Sequence, residues 1–462
     1  GFALDDPPPG WRVANPAMAK PVMAALLAGT AARLEGKAPW LAGAPWRDDA
    51  ALGVCVTDRA GCETNRTLVL HPLVLTIGVG CERGTDPAEL ATLVAASLAE
   101  AGLAAGSVAA IGSLDLKMDE PAMHQVAAIL KAPLRFFTAA ELEAEAHRLL
   151  NPSEIVFRET GCHGVAEGAA LALAGTGGKL VVAKRKSNRA TCAIARAVAP
   201  IEGDAAGRPR GALAIIGIGP GSDAWRSPEA TALVAAADIV VGYGLYIDLL
   251  GGLVPAEKRR AYGLGEETDR VGEALSQAAA GRRVALVCSG DAGIYALATL
   301  VYEMLDAADD PAWRRAAITV TPGISAMQAA AARAGAPLGH DFCAISLSDL
   351  LTPRDAIITR LEAAAAGDFV TALYNPQSNS RRELLVRARD IFAAARPPST
   401  PVTVARNLGR PDETVAIVPL CELDTNAVDM LTILIIGNSE SRKLDTGDGV
   451  RMFTPRGYKG KR

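Results

Sequence analysis

RRVALVCSGDAGIYALA, residues 282–298, is the stretch of sequence that decides the fold. Its apolar run Val284–Cys288 is rich in β-forming residues, and the turn Gly290–Gly293 leads directly into an Ala/Leu pattern typical of a helix. Two glycines this close together allow the backbone to approach a ligand, and ligands of open α/β sheets bind beyond the carboxyl ends of the strands. The stretch therefore predicts a βα unit at a binding site, with an ordinary βα turn as the alternative.

The same rhythm of strand, turn and helix surrounds this stretch. It begins at the apolar strand 212–218, continues through the helix 228–237 and the strand 239–241, and recurs near Ile318, Phe369, Val402 and Leu431. The pattern predicts an α/β domain over residues 212–445, with two lobes at about 212–322 and 323–445. Residues 446–462 carry five Lys/Arg against one Asp and predict a basic, solvated tail.

The first half of the chain predicts a separate α/β domain over residues 67–199. Apolar runs at 73–79, 108–111, 136–137 and 179–183 alternate with helical patterns at 87–101, 120–130 and 139–150. Residues 1–66 are proline-rich, with one helical pattern at 17–32, and look like the end of another region. The chain starts at Gly1 rather than Met, so the natural N-terminus is expected upstream. Residues 200–211 combine Gly, Pro and charge without periodicity, which is typical of a linker.

Composition limits the function classes. A chain of 462 residues with 50% hydrophobic residues predicts roughly three globular domains. The net charge of −4 argues against a nucleic-acid partner, and the chain lacks an apolar run of the ~20 residues that cross a bilayer. The eight cysteines form no CxxC pair, and the five histidines show no ligand spacing beside them. We therefore expect no metal site, no membrane partner and a reducing, cytoplasmic location.

The glycines at 217–221 do not fit a dinucleotide-binding turn. That fingerprint needs G-x-G-x-x-G, whereas here the third glycine, Gly221, comes one position early and Pro220 stiffens the loop. These glycines are better explained by close approach to a bulky ligand or to the neighbouring chain.

Eight motifs in fixed order resemble the tetrapyrrole methylase family, and within it the precorrin-3B C17-methyltransferase branch. They are IIGIGPGSDAWRSPEA from Ile215, VGYGLYIDLLG from Val241, LVCSGDAGIYALA from Leu286, TVTPGISAMQAAAARAGAPLGHDF from Thr319, SLSDLLTP from Ser346, ALYNPQSNSRR from Ala372, ARNLGRPDE from Ala405 and LTILIIGNS from Leu431. The resemblance covers residues 211–443. It implies a two-lobed α/β fold with S-adenosyl-L-methionine (SAM) in the cleft, a homodimer, and methylation of precorrin-3B at C17 with ring contraction to precorrin-4.

The resemblance also implies the residues that contact SAM, chiefly through their backbone. They are Gly219, Pro220, Gly290, Asp291, Gly293, Ile294, Ser325, Ala326, Tyr374, Asn375, Arg406 and Asn407. Ser325 also fits a plain helix N-cap, and both roles are compatible. Methyl transfer to an electron-rich ring carbon needs mainly positioning, which suits glycine-rich loops better than a catalytic triad.

The implied substrate is a macrocycle fringed with carboxylates. Arg381 and Arg382 stand where a helix should begin, so guanidinium groups and free helix N–H groups would bind carboxylates there, together with Ser348 and Asp349. A solvated helix turn is the alternative. Ring contraction needs a base, and Asp223, Tyr243, Asp248 and Asp349 remain equal candidates.

The first domain resembles the C-terminal domain of the cobalt-precorrin-5A hydrolase family and its stand-alone relatives. The motifs are LTIGVGCERGT from Leu75, SLDLKMDEPA from Ser113, NPSEIV from Asn151, GVAEGAAL from Gly164 and LVVAKRKS from Leu180, and residues 10–27 resemble that family's middle region. Glu82, Arg83, Lys117, Asp119 and Glu120 are the expected cleft residues. The hydrolase's N-terminal domain has no counterpart, so corrinoid binding without hydrolysis is the alternative to a bifunctional enzyme.

Three function classes follow. The first is a SAM-dependent methyltransferase fused to a hydrolase-like module. The second is an enzyme of the same fold that acts on a cobalt-precorrin, RNA or protein, and the third is a non-catalytic corrinoid carrier.

Overall fold

The computed structural model describes residues 3–377 and 382–458, and the chain divides into two compact units. The first unit comprises Gly1–Gly211, Ala278–Arg282 and Asp310–Ala317, and the second comprises Ala212–Gln277, Arg283–Asp309 and Ile318–Arg462. Both units layer helices on β-sheets, which confirms the predicted α/β class.

The first unit begins with a small mixed sheet. Its strands are β1 (Trp11–Val13), β2 (Arg33–Glu35), β3 (Gly53–Val56) and β4 (Thr67–Pro72), in the order β1-β4-β3-β2, beside helix α1 (Ala19–Leu27). β1 is antiparallel to β4 and the other pairs are parallel. Leu68 and Leu70 of β4 lie in the core of this sheet, so the sheet extends past the boundary expected at residue 66.

A second, five-stranded sheet forms the rest of the first unit. Its order is β7-β6-β5-β9-β8, built from β5 (Leu75–Cys81), β6 (Val108–Leu114), β7 (Leu134–Phe137), β8 (Lys179–Lys186) and β9 (Ala190–Arg196). Its helices are α2 (Pro87–Glu100), α3 (Pro121–Leu130), α4 (Ala139–Glu143), α5 (Glu154–Thr160) and α6 (Val165–Ala174). A Cβ on Gly78 would overlap the Ala166 carbonyl oxygen, so only glycine allows α6 to pack this closely on β5.

Residues 200–211, which the sequence predicts as a linker, are attached to the first unit. Arg208 and Phe136 exchange backbone hydrogen bonds of 2.9 and 2.8 Å, and the Arg208 guanidinium pairs with Asp115. The Ile201 amide donates to the Leu73 carbonyl at 2.9 Å. These partners are distant in the sequence, so local composition does not reveal them.

The second unit contains two five-stranded sheets. The first has the order β12-β11-β13-β10-β14, with β10 (Ala212–Gly217), β11 (Ile239–Tyr243), β12 (Arg259–Tyr262), β13 (Arg283–Cys288) and β14 (Ala317–Thr321). The helices along this part of the chain are α7 (Pro228–Ala236), α8 (Gly244–Asp248), α9 (Glu267–Ala279) and α10 (Leu297–Ala307), and the short helix α11 (Pro311–Arg315) belongs to the first unit. The pairs β10–β13, β11–β13 and β11–β12 are parallel, so the carboxyl ends of these strands share one edge.

The second sheet of this unit is mixed. Its order is β16-β17-β20-β18-β19, with β16 (Phe342–Ser346), β17 (Val370–Tyr374), β18 (Pro401–Arg406), β19 (Thr414–Pro419) and β20 (Thr432–Ile436), and its helices are α12 (Ala326–Ala334), α13 (Arg354–Ala366) and α14 (Glu383–Ala395). β17 and β18 are both antiparallel to β20, and β16 is parallel to β17. The carboxyl ends of β16, β17 and β18 therefore also share one edge.

The chain folds further after β20. β21 (Arg442–Thr446) and β22 (Gly449–Phe453) form a hairpin, and β22 pairs with the short strand β15 (Gly335–Ala336). Met452 is fully buried, and its sulfur accepts a hydrogen bond from Thr403 Oγ1 at 3.3 Å. Much of the segment that was expected to be a solvated tail is therefore folded. The charged residues around Met452 in the sequence conceal that its side chain is part of the core.

Three further findings concern residues 3–377 and 382–458. They include no helix that is long and apolar enough to cross a membrane. Within the same residues, no group of three or more His, Cys, Asp or Glu side chains could hold a metal ion. The eight cysteines are free thiols.

Candidate functional site

Three loops that follow neighbouring strands form the candidate site. β13, β10 and β14 lie side by side, and their loops begin at Ser289, Ile218 and Pro322. Gly219 and Gly290 join two of these loops by reciprocal backbone hydrogen bonds of 3.1 and 2.8 Å. The two glycine turns that the sequence singles out are therefore one structure.

Glycine is required where the three loops meet. A Cβ on Gly217 would stand 2.6 Å from the Gly290 carbonyl oxygen, and a Cβ on Gly323 would overlap the same oxygen. Since Cβ atoms do not approach backbone oxygens this closely, only glycines allow this packing.

Asp291 connects the loop after β13 to the loop after β14. Its Oδ1 accepts the Gly293 amide at 2.8 Å, and its Oδ2 accepts the Gly323 amide at 2.9 Å. The side chain of Asp291 thus fixes the loops, and its two oxygens are occupied by backbone donors.

Gly293 leaves open space at the centre of the loop. A Cβ there would have a single neighbour within 4 Å, Asp291 Oδ1 at 3.3 Å. By contrast, Gly290 is buried with a φ of +69° and faces Ser325 and Ala326, whose nearest atoms would stand 3.8 Å from an added Cβ. The predicted residues of these two segments are therefore neighbours.

Helix α12 begins at this site. Ser325 is its N-cap, with Oγ accepting the Gln328 amide at 3.2 Å while Gln328 Oε1 accepts the Ser325 amide at 2.9 Å. The simpler interpretation of Ser325 as a cap is thus confirmed. The Tyr374 hydroxyl accepts the Met327 amide at 3.1 Å, which brings the carboxyl end of β17 to the same helix start.

Tyr295 is a site residue that the sequence pattern does not identify. Its ring lies 5.2 Å from the Tyr374 ring at 55°, and its hydroxyl donates to the Ala344 carbonyl at 2.9 Å. Its φ of +50° is unusual for an aromatic residue, and no local signal in the sequence announces it. Burial raises the pKa of both Tyr295 and Tyr374, so both phenols stay protonated near neutral pH.

The other predicted cofactor residues lie at the adjoining edge of the second sheet. Asn375 and Asn407 have φ of +49° and +53°, a conformation that asparagine tolerates, and Asn375 Nδ2 donates to Ser346 Oγ at 3.1 Å. Arg406 Nε donates to Asp429 Oδ2 at 2.7 Å. Arg406 is the last residue of β18 and Asn407 follows it. In the sheet, β20 lies between β18 and β17.

The predicted substrate residues are spread over two loops. Ser348 and Asp349 follow β16, and the Ser348 amide donates to Ser346 Oγ at 3.3 Å. Arg382 is exposed at the start of α14, and Arg381 lies outside the described residues.

The four candidate bases have different surroundings. Asp223 is paired with Arg226 at 2.6 Å, and Asp248 lies 3.4 Å from Arg259. Tyr243 makes an edge contact with Tyr246, with ring centroids 5.1 Å apart. Asp349 also interacts with another group of the protein. The geometry therefore does not single out any of the four as the base for ring contraction.

The loops fit the cofactor that the family resemblance implies. Thr321 Oγ1, at the carboxyl end of β14, is buried and has no hydrogen-bond partner among the described residues. A buried hydroxyl of this kind needs a partner. The exposed backbone at Gly293, where an added Cβ would have one neighbour within 4 Å, leaves room for a ligand to approach. Residues 290–294 and 325–326 would hold SAM.

In the first unit, four of the five predicted polar residues form one network beyond β5 and β6. Arg83 pairs with Asp119 at 2.6 Å, and the Gly84 amide donates to the buried Glu120 at 3.1 Å. Glu82 pairs at 2.8 Å with Arg189, which the sequence pattern does not identify. Lys117 ends the short helical turn after β6, and its carbonyl accepts the Glu120 amide at 3.0 Å.

Comparison with known protein families gives two matches. Residues 212–424 match the family described as Tetrapyrrole (Corrin/Porphyrin) Methylases, and residues 75–195 match the family described as Cobalamin synthesis G C-terminus.

Two curated relatives align with the second half of the chain. A precorrin-3B C(17)-methyltransferase of Sinorhizobium sp. is 46% identical over 252 residues, which are 54% of this chain and 98% of that protein. A cobalt-factor III methyltransferase of Priestia megaterium is 40% identical over 255 residues, and this chain spans 46% of its length.

Two solved structures each align with part of the chain. The methyltransferase CobJ is 39% identical, with 53% of this chain and 100% of that chain covered and a TM-score of 0.49. CobE, a protein of the cobalamin pathway, is 42% identical, with 27% of this chain and 92% of that chain covered and a TM-score of 0.26.

Proposed function

Because this chain belongs to the tetrapyrrole methylase family, we propose that its second unit methylates precorrin-3B at C17, with ring contraction to precorrin-4. Family membership makes the chain a SAM-dependent methyltransferase of cobalamin biosynthesis. The observation that carries the proposal is the junction of Gly217, Gly290 and Gly323, fixed by Asp291 beside the open space at Gly293.

The residues of this site position the reactants. SAM supplies the methyl group as an electrophile, and the tetrapyrrole supplies the carbon nucleophile, so proton transfer is not needed for methylation itself. The short loops after β10, β13 and β14 restrict the cofactor to one orientation, which lowers the entropic part of the barrier. Ring contraction needs a base, and its candidates are still Asp223, Tyr243, Asp248 and Asp349.

We propose that Arg381, Arg382, Ser348 and Asp349 contact the macrocycle. Arg382 lies at the start of α14, where a guanidinium group and helix N–H groups suit the carboxylates of the ring. The remaining cofactor residues, Asn375, Arg406 and Asn407, would border the same edge.

The first unit is proposed to bind a corrinoid at the network of Glu82, Arg83, Asp119 and Glu120. Its match to the Cobalamin synthesis G C-terminus family supports a role in the same pathway. Whether hydrolysis accompanies binding is tested by mass spectrometry of cobalt-precorrin-5A after incubation with the chain. We also propose that the protein is cytoplasmic, which the free thiols support. We further propose that it is a homodimer, which sedimentation equilibrium would test.

The deciding experiment incubates the chain with SAM and either precorrin-3B or its cobalt-containing counterpart. A mass increase of one methyl group with ring contraction on the metal-free substrate is expected. Faster turnover of the cobalt-containing substrate would favour the second function, which the names of the cobalt-factor III relatives support. SAM binding without methylation of either substrate would contradict the proposal and leave a carrier or an RNA or protein methylase.

A further inference from the structure

Two tyrosine rings lie beside the proposed cofactor loop, and one is held in a strained conformation. Tyr295 follows Ile294 directly and has a φ of +50°, a left-handed conformation that is unfavourable for an aromatic residue. The Tyr295 hydroxyl donates a hydrogen bond of 2.9 Å to the Ala344 carbonyl, and this bond holds the ring in place. Strain of this kind persists only where the surrounding structure enforces it.

The second ring is fixed as well. The Tyr374 hydroxyl accepts the Met327 amide at 3.1 Å, so the ring is anchored to the first turn of α12. The ring of Tyr295 meets it at 5.2 Å and 55°, a tilted geometry that aromatic pairs favour. Although both hydroxyls are bonded, 53% of the Tyr295 surface is exposed, so part of its ring is free to contact a ligand.

The chemistry of the cofactor gives this exposed ring a task. SAM carries a sulfonium cation, whereas its product S-adenosylhomocysteine (SAH) is a neutral thioether that lacks one methyl group. Aromatic faces attract cations through their ring quadrupole. The nearest predicted acidic side chain, Asp291, already accepts two backbone amides and is therefore oriented toward the loops.

We propose that Tyr295, supported by Tyr374, forms the aromatic surface that recognises the sulfonium of SAM and distinguishes it from SAH. This inference rests on the proposed SAM site. Tyr295 then sets cofactor specificity and product release, since the attraction disappears once the methyl group has left.

The test measures SAM and SAH affinities by calorimetry on the full chain. Tyr295→Leu is expected to lower the ratio of SAM affinity to SAH affinity by about 2-fold to 30-fold, the range of cation–π interactions. Tyr295→Phe retains the ring and should keep the ratio. The matched control is Tyr302→Leu, because Tyr302 is also 53% exposed but lies within helix α10 rather than in the loop.

A near-isosteric series tests the same point without a large change of shape. Phenylalanines with increasing ring fluorination at position 295 should weaken SAM binding step by step and leave SAH binding unchanged. An unchanged ratio in this series, or equal loss of both ligands, would overturn the role of Tyr295. Failure of the unmodified chain to bind either ligand would instead overturn the proposed function.

Discussion

Gly293 and Gly290 differ in what surrounds them, although both belong to the same loop. Gly290 is buried and has a positive φ, so a side chain there would strain the backbone. Gly293 is exposed, and an added Cβ there would have a single neighbour within 4 Å, the side-chain oxygen Oδ1 of Asp291. At the scale of the residue, a substitution at Gly293 is therefore expected to affect ligand binding and not folding.

Gly293→Leu is expected to abolish SAM binding and to leave the folded structure intact, since the new side chain fills the space that the ligand needs. Calorimetry measures the affinity, and circular dichroism measures the fold. Gly252→Leu is the matched control, because Gly252 is also exposed and a Cβ there would meet nothing within 4 Å, at a site outside the loop. Unchanged SAM affinity in Gly293→Leu would contradict the assignment of the loop.

Asp291→Asn is expected to weaken both the fold and SAM binding. An amide has one acceptor oxygen, so one of the two backbone donors, Gly293 or Gly323, loses its partner. The cost should be about 1–3 kcal/mol in the free energy of unfolding, measured by urea denaturation. Asp412→Asn is the control, because Asp412 is exposed. Equal stability of the two variants would show that the Asp291 hydrogen bonds do not contribute to the free energy of unfolding.

Arg381→Ala combined with Arg382→Ala is expected to weaken macrocycle binding by at least tenfold and to spare SAM affinity. Carboxylate pairing is separate from the cofactor loop, so the two effects should not couple. Fluorescence titration with the macrocycle and calorimetry with SAM give the two affinities. Equal loss of both would mean that the arginines support the cofactor site.

The sequence identifies most of the glycine-rich site because tight turns have a strong residue signal. It does not identify Tyr295, whose φ of +50° is imposed by contacts with Tyr374 and Ala344 that are distant in the chain. Arg189 escapes for the same reason, since its partner Glu82 lies more than a hundred residues away.

At the scale of the element, prediction succeeds where apolar periodicity is strong and fails where partners are remote. In the first sheet of the second unit, β10, β11 and β13 begin close to their expected positions, because each is a buried apolar run. β9 is poor in large apolar residues, and its burial comes from pairing with β5 and β8, which periodicity does not show. The hairpin of β21 and β22 is hidden by its charged outer face.

The segment from α4 to α6 contains an ion pair that predicts a pH dependence. His163 Nδ1 lies 2.8 Å from Glu143 Oε1, and its Nε2 lies 3.4 Å from Glu154. The hydrogen bond to Glu143 raises the pKa of His163 above 6.5, and the His163 backbone amide holds the pKa of Glu143 below 4.5. The histidine contribution is complete below pH 6.5 and is lost as the pH rises through the raised pKa; the carboxylate contribution is complete above pH 4.5 and is lost on acidification.

Glu143→Gln is therefore expected to lower the Tm most between about pH 4.5 and 6.5, and less on either side of this window. Thermal unfolding across pH measures the difference from the unmodified chain, and Glu159→Gln on α5 is the control. A Tm difference that does not vary with pH would rule out the charged pair as its source.

At the scale of the whole molecule, residues 200–211 are where the chain would be cut to separate the two units. Arg208 is bonded to Phe136 and Asp115, whereas the Gly211 carbonyl accepts the Ala317 amide at 2.9 Å. A cut at residue 208 therefore removes some contacts of this segment and retains others.

The fragment 208–462 is expected to fold, bind SAM and methylate at more than one tenth of the full-chain rate at saturating macrocycle. Each unit has its own hydrophobic core, and the retained Gly211 carbonyl supports β14. The fragment 212–462, which lacks that carbonyl, should be less stable. A folded 208–462 fragment that binds SAM but turns over at least tenfold slower would show that the first unit completes the active site.

The C-terminal hairpin also decides how the protein can be handled at the bench. Because Met452 is buried against Thr403 and Thr454 donates from its hydroxyl to the Pro337 carbonyl at 2.7 Å, removing residues 446–454 would open the core beneath β15. A purification tag or fluorescent fusion belongs after Tyr458, whose side chain is exposed.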